Sequence, residues 1–258
     1  MDRPIGIFDS GVGGTSIWKE IVKMLPWEDT LYLADSANAP YGVRDPADIL
    51  RLSVKNTELL IAMGAKIIVV ACNTATTNAI GHLRTHYPIP FIGIEPAIKP
   101  AALKTRSKVV GVLATRGTLS SELFHNSSKL YAQGIRVLER EGTGLVERIE
   151  AGEALSQGTK ELLKSFIDPM LDQGMDCLVL GCTHYPYLLP LLRELLPEGF
   201  PIIDSGEAVA RQTKAVLEAG HALREKRAPT HIFHGNGDVS VLKGLLEAPG
   251  AEVTRLDF

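Results

Sequence analysis

Cysteine is scarce in this chain: 258 residues contain three. So few thiols exclude a disulfide framework and point to a reducing compartment, the cytosol, with the thiols free. Long apolar runs are missing too. None approaches the length that crosses a bilayer, so no membrane partner is expected. The opening residues M-D-R-P-I-G-I-F-D show no signal-peptide architecture and enter a strand almost at once. Positive charge is not in surplus either. A net charge of −3 and a pI near 6.2 leave no basic footprint, which excludes nucleic acid as a partner. The glycine-rich stretch D-S-G-V-G-G at residues 9–14 lacks both the P-loop lysine and G-x-G-x-x-G spacing, so a nucleotide reading is weak. Its glycines are expected to let the backbone approach a small ligand.

What is present is a chain 45% hydrophobic and 22% charged, the composition of a globular protein with a full core. Its length suits one large domain or two ordinary ones. Two stretches organise it. Residues 66–77 read K-I-I-V-V-A-C-N-T-A-T-T, a β-branched run that ends in Cys72 and small polar residues. Residues 177–186 read C-L-V-L-G-C-T-H-Y-P, a second apolar run that ends in Cys182, Thr183 and His184. Continuous apolar runs of this length suit strands buried on both faces of a parallel sheet. Ligands bind beyond the carboxyl ends of such strands. Each run therefore delivers a thiol to a place where ligands bind.

In order, strands are predicted over 4–8, 30–34, the run before Cys72, and 91–94. Helices are predicted from Thr15 to Pro26, between Asp45 and Gly64, and from Asn73 to about His86. Asp45-Pro46 reads as an N-cap with proline at N1, and Gly64 as the residue past the helix end. Residues 35–42, D-S-A-N-A-P-Y-G, hold too many breakers for regular structure. The pattern restarts at Val109 with a strand, the polar stretch 115–118 and a helix. A strand over 135–138, a helix over 159–173 and the strand before Cys182 follow. The motif I-D-S-G at 203–206 marks a crossover, after which strands at 231–234 and 252–256 return to the first unit. The predicted fold is α/β: two similar, pseudo-symmetric α/β domains with mostly parallel sheets, 1–96 plus 207–258 and 97–206, and the site at their interface. The leucine-rich stretch 188–196 is assigned to the core, and the charged run 224–227 to a solvated face.

A thiolate is the reactive form of cysteine, and backbone N–H groups at a helix N-terminus favour it. Cys72 and Cys182 are both expected where a strand hands over to a helix. A thiolate on one face of a carbon acid and a thiol on the other would take a proton and return one, inverting the centre. Rival readings stay open. A buried cysteine is often only a small hydrophobe, and Cys177, inside its strand, is read that way. Cys72 with a histidine would be a nucleophile–base pair for acyl transfer. Cys182 and His184 are too few ligands for zinc. A non-enzymatic protein that binds a small dicarboxylate or a protein partner fits as well.

Four stretches narrow the choice: I-G-I-F-D-S-G-V-G-G at 5–14, A-P-Y-G at 39–42, A-C-N-T-A-T at 71–76 and G-C-T-H-Y-P at 181–186. In order and spacing the chain resembles the cofactor-independent glutamate racemases over nearly its whole length. The resemblance implies interconversion of L- and D-glutamate by two-base proton transfer, supplying D-glutamate for peptidoglycan. No cofactor or metal is implied, the only partner being the small-molecule substrate in a cytoplasmic homodimer. It assigns Cys72 and Cys182 as the acid/base thiols, Asp9 and His184 as their polar partners, and Glu150 as a further assistant to Cys182. It matches Asp9, Ser10, Tyr41, Gly42, Asn73, Thr74, Thr115, Thr118, Thr183 and His184 to substrate-contacting positions. Aspartate racemases, with the same chemistry and a shorter substrate, are the nearest rivals. Three departures stand out. Asn38 replaces a common family arginine, which leaves that loop's charge open. Gly142-Thr143 stands near the place of a usual Cys-Pro pair. The chain also starts at the first strand without the extension of members activated by a cell-wall precursor, so no such activation is expected.

Overall fold

The computed structural model describes residues 3–246 and 250–258. Strands alternate with helices from the start: β1 (Ile5–Asp9), α1 (Thr15–Met24), β2 (Thr30–Ala34), α2 (Pro46–Ala62), β3 (Ile67–Val70), α3 (Asn73–His86) and β4 (Phe91–Gly93). The second run holds α4 (Ile98–Lys104), β5 (Val109–Ala114), α5 (Arg116–Leu119), α6 (Glu122–Tyr131), β6 (Arg136–Glu141), α7 (Leu145–Glu150) and α8 (Gln157–Leu171). It ends with β7 (Cys177–Gly181), α9 (Leu189–Leu195) and β8 (Ile202–Ile203). The tail adds α10 (Gly206–Ala219), β9 (His231–Gly235), α11 (Ser240–Leu245) and β10 (Ala251–Arg255).

Every strand pairing among the described residues is parallel, as expected of β-branched runs that helices cover on both faces. One sheet has the order β10-β9-β2-β1-β3-β4 and the other β6-β5-β7-β8. After β8 the chain enters α10, which packs on α1, and β9 then adds to β2 with His231 opposite Thr30. That is the crossover read from residues 203–206. Helix α2 starts at Pro46 with extended Asp45 before it, and Gly64 beyond its end takes the left-handed φ of +89° that glycine adopts without strain.

The core has three parts. Phe8, Ile68 and Val70 face α2 and α3 on one side of the first sheet. Val110, Val112 and Cys177 face α4 and α6 on the far side of the second. The largest part runs unbroken between the sheets, from Ile5, Ile7 and Trp18 to Leu178, Leu180, Leu188 and Leu192. Cys177 lies wholly inside the apolar packing, where burial pushes its thiol up to about 11.

The structure corrects three expectations. Residues 35–42 are not irregular: two 3-10 turns, Ser36–Asn38 and Tyr41–Val43, flank a cis Ala39–Pro40 peptide. A 3-10 turn needs only one i→i+3 bond, here Asn38 N–H to Asp35 C=O at 2.9 Å, so breaker-rich sequence forms it readily. Helices α4 and α7 went unforeseen because seven and six residues are too few to show a period. The run 224–227 is not simply solvated. The Arg224 side chain is buried against Asp29, with which it forms an ion pair.

Nearby, Lys66 Nζ sits 2.5 Å from Glu28 Oε2, both side chains almost fully buried, and donates to the Ala222 carbonyl at 2.7 Å. Removing one partner of such a pair strands the other charge. Lys66→Met should therefore cost about 3 kcal/mol in urea unfolding, and Glu28→Gln less. A loss below about 1 kcal/mol for Lys66→Met would mean that Glu28 is solvated after all.

Candidate active site

The carboxyl ends of β1, β3, β5 and β7 carry the polar residues singled out in the sequence. Phe8 pairs with Val70, so Ser10 and Cys72 follow as neighbours past the sheet edge. Ala114 pairs with Gly181, which brings Thr115 and Cys182 out together on the other sheet. The two edges meet at a small cavity. The first-sheet side contributes Ser10, Tyr41, Gly42, Cys72, Asn73 and Thr74; the second contributes Thr115, Cys182, Thr183 and His184. Pro40 and Val146 complete the lining. Val146 left no signal in the sequence, because it lies on the unforeseen helix α7 and carries no polar group. Among the described residues, neither lysine nor arginine lines the cavity.

The two thiols are held differently. Cys72 is the N-cap of α3, and its sulfur accepts the Ala75 N–H at 3.4 Å. Its thiol reaches the Ser10 hydroxyl at 3.8 Å. Burial pushes this thiol far up, the Asp9 charge adds to that, and the Ala75 and Ser10 bonds offset only part. Cys182 has no helix N-terminus behind it, since a turn and the 3-10 segment Tyr185–Leu188 follow. Its partner is His184, with Nδ1 3.8 Å from the sulfur. The expectation that backbone N–H groups serve both thiols is thus met on one side, with an imidazole in their place on the other.

Behind His184 lies Glu150, the last residue of α7, whose Oε1 is 2.6 Å from Nε2. The Gly13 N–H also points at Nε2, at 3.2 Å, but the shorter Glu150 contact makes Nε2 a donor. Glu150 in turn accepts the Val12 N–H at 2.7 Å and the Ser36 hydroxyl at 3.1 Å, both from the opposite sheet's side. Burial pulls the His184 pKa down. Hydrogen bonds to Cys182 and Glu150, with the Asp9 charge, outweigh it and hold the ring well above its usual value. The glycines of residues 11–14 make this approach possible. A Cβ at Gly13 would fall 2.1 Å from His184 Nδ1, and one at Gly11 1.9 Å from Glu150 Oε1. They therefore admit protein side chains, not the ligand expected from the sequence.

Asp9 lies fully buried between the two thiol systems, accepting from the Gly14 N–H at 2.8 Å, the Gly11 N–H at 3.3 Å and the Thr183 hydroxyl at 3.3 Å. Burial raises its pKa, and the His184 charge works against that. Thr74 and Thr115 share a 2.8 Å hydrogen bond across the interface, with Thr118 buried behind them at 3.4 and 3.1 Å. Asp9, Thr118 and Glu150 support the cavity from behind without lining it. Among the described residues, both polar atoms of the buried Asn73 amide lack a protein partner. An orphaned amide in a cavity wall is a ready ligand contact. The Tyr41 hydroxyl is committed to Asp35 and accepts the Asn56 amide at 3.1 Å. Where the family often has arginine, Asn38 donates to Asp35 at 2.8 Å. Residues 142–143 lead into Gly144, whose φ of +83° opens α7.

Two parallel sheets that close on two thiols, each with its own polar support, are the architecture of a racemase. The family model of the Asp/Glu/Hydantoin racemases matches residues 5–213, and the chain belongs to that family. It is 50% identical over 256 residues to the glutamate racemase of Stutzerimonas stutzeri, spanning 99% of this chain and 97% of that one. Among solved structures, glutamate racemase isoform RacE1 of Bacillus anthracis superposes with a TM-score of 0.88 at 30% identity, covering 99% of this chain and 97% of its own. The Escherichia coli glutamate racemase, solved with L-glutamate and the activator UDP-MurNAc-Ala, gives 0.85 at 34% identity, over 99% and 98% of the two chains.

The raised His184 pKa fixes a direction. Stabilisation by the imidazolium is complete below the unfolded value of about 6.5 and is lost as pH rises through the higher folded value. In nitrogen-detected NMR, His184 should remain protonated at neutral pH and titrate closer to the ordinary value in Glu150→Gln. The variant should also lose less stability as the pH is raised above neutral. An unshifted His184 titration in Glu150→Gln would show that Glu150 does not hold the proton.

Proposed function

We propose that the protein is a glutamate racemase that inverts the α-carbon by two-base proton transfer between Cys72 and Cys182, supplying D-glutamate for peptidoglycan. The carrying observation is that two buried thiols, one from each sheet, line one small cavity beside an unpartnered asparagine amide. The small cavity, lined with hydroxyls, one amide, the two thiols and the His184 ring, suits a short amino acid. The substrate itself is taken from the glutamate racemases that the chain resembles over nearly its full length.

The chemistry follows from the asymmetry of the two sides. Cys72, its thiol pushed far up, carries its proton and is ready to donate. The His184 imidazolium faces the Cys182 sulfur and compensates negative charge there. A Cys182 thiolate takes the α-proton, and the electron pair left on carbon is shared with the α-carboxylate. Cys72 then gives its proton to the opposite face. The thiol and thiolate have exchanged places, so the pair is set for the reverse reaction. Asp9, near both thiols, and His184 offer routes by which protons return for another turnover in the same sense. Ser10, Asn73, Thr74, Thr115 and Thr183 supply the polar contacts that fix the two carboxylates and the amine. General acid–base catalysis of this kind contributes about 10²–10⁴-fold per group. The partition of strands between the two sheets supports domains at 1–96 plus 207–258 and 97–206.

The reaction is tested by solvent deuterium uptake at Cα, followed by NMR beside circular dichroism, with no cofactor added. Exchange with loss of optical activity is expected for either glutamate enantiomer. Exchange with aspartate alone would move the substrate to the shorter acid, and none with either would leave a binding protein. Cys72→Ser and Cys182→Ser should each lose racemisation by about a thousandfold or more. Each should keep one-sided elimination from a glutamate analogue with a β-leaving group, on opposite enantiomers. Full racemisation in both variants would rule out the two-base mechanism.

A further inference from the structure

The Asp35 carboxylate has no part in the chemistry above, yet it is fully buried just behind the cavity wall. Five donors converge on it. Asn38 Nδ2 lies at 2.8 Å, Lys55 Nζ at 3.0 Å and Asn236 Nδ2 at 2.5 Å from Oδ1; Asn56 Nδ2 lies 3.4 Å from Oδ2, which also accepts the Tyr41 hydroxyl. Its own N–H donates to the Asp9 carbonyl at 3.1 Å, tying it to the end of β1. A carboxylate offers about four acceptor sites, so Asp35 is fully subscribed. The network also reaches the tail. Asn236 accepts the Ala37 N–H at 2.9 Å, and the Phe258 carbonyl accepts from Lys55 at 3.3 Å. The Lys55 ammonium lies 4.8 Å over the Phe258 ring.

We propose that Asp35 is a positioning residue for substrate binding: with Lys55 and Asn236 it fixes the wall formed by Tyr41 and Gly42. This rests on the racemase reading of the site. One physical reason carries it. Apart from His184, the cavity lining offers a dicarboxylic amino acid only neutral groups, whose placement must hold it, so a wall that drifts loses affinity. The Tyr41 hydroxyl, its proton given to Asp35, orients the ring and backbone of residues 40–42; it does not serve as a free donor to substrate.

The test is steady-state racemisation of glutamate by Asp35→Asn, Tyr41→Phe and the double variant, with backbone hydrogen exchange on the same proteins. Asp35→Asn turns one acceptor into a donor facing donors. It should raise KM about tenfold or more, with kcat within about threefold, the size of a lost charged hydrogen bond. Tyr41→Phe should raise KM in the same way by less, and the double variant should be no worse than Asp35→Asn alone. The amides of Asn38, Ala39 and Arg44 should exchange about tenfold faster in Asp35→Asn, with those of β1 and β3 unchanged. An unchanged KM, a loss confined to kcat, or additive effects would overturn the proposal. Should Asp35→Asn not fold, Tyr41→Phe and Asn236→Ser decide, and unchanged KM in both would overturn it equally. Wild-type protein that fails to invert glutamate would defeat the racemase reading instead, while the exchange data would still decide whether Asp35 holds the wall.

Discussion

The contact between Glu150 and His184 is the constraint on which the site's geometry depends. An acidic side chain at the end of a short helix of the second run reaches backbone and hydroxyl donors on the first, and from there holds an imidazole against Cys182. Such a chain forms only if the two sheet edges come within hydrogen-bond reach. That requirement explains why side chains are missing at residues 11 and 13, where a single methyl group would collide with Glu150 or His184. It also explains why Glu150 is fixed from both sides, since a loose carboxylate would orient the ring poorly.

Burial sets the electrostatic character of the site. Asp9, Cys72 and His184 are all removed from solvent, and each would be costly there without partners. The turn after β1 supplies those partners cheaply, because its N–H groups are already ordered: Gly11 and Gly14 donate to Asp9, and Val12 to Glu150. The two thiols then diverge. A helix N-cap supports Cys72 with one backbone donor, too little to offset desolvation and a nearby carboxylate. A charged side-chain relay supports Cys182. Two similarly built halves thus give their thiols chemically unlike surroundings.

Much of the architecture was legible because the strands are short, β-branched and bounded by breakers, and because Pro46 and Gly64 punctuate the longest helix. The crossover at residues 203–206 was legible for the same reason. Helices α4 and α7 were not, being shorter than two turns, and with α7 went Val146 and the position of Glu150. Asp35 and Asn236 left no signal. Their importance comes from donors that converge from residues far apart in sequence. The charged run 224–227 misled because Arg224 and Arg227 both pair with Asp29, on a distant turn, and the Arg224 side chain is buried there.

The sequence by itself determined the two parallel sheets, the placement of a cysteine beyond a central strand of each, and membership in a racemase family. Hydrophobic period, punctuation and short motifs are local properties of the chain. Tertiary structure alone decided that Ala75 and Ser10 serve Cys72, and that Glu150 reaches Cys182 through the His184 ring. It also decided that the glycines admit protein side chains and that the Tyr41 hydroxyl turns away to Asp35. These follow from distances between residues remote in sequence, which exist only once the two sheets have closed on each other.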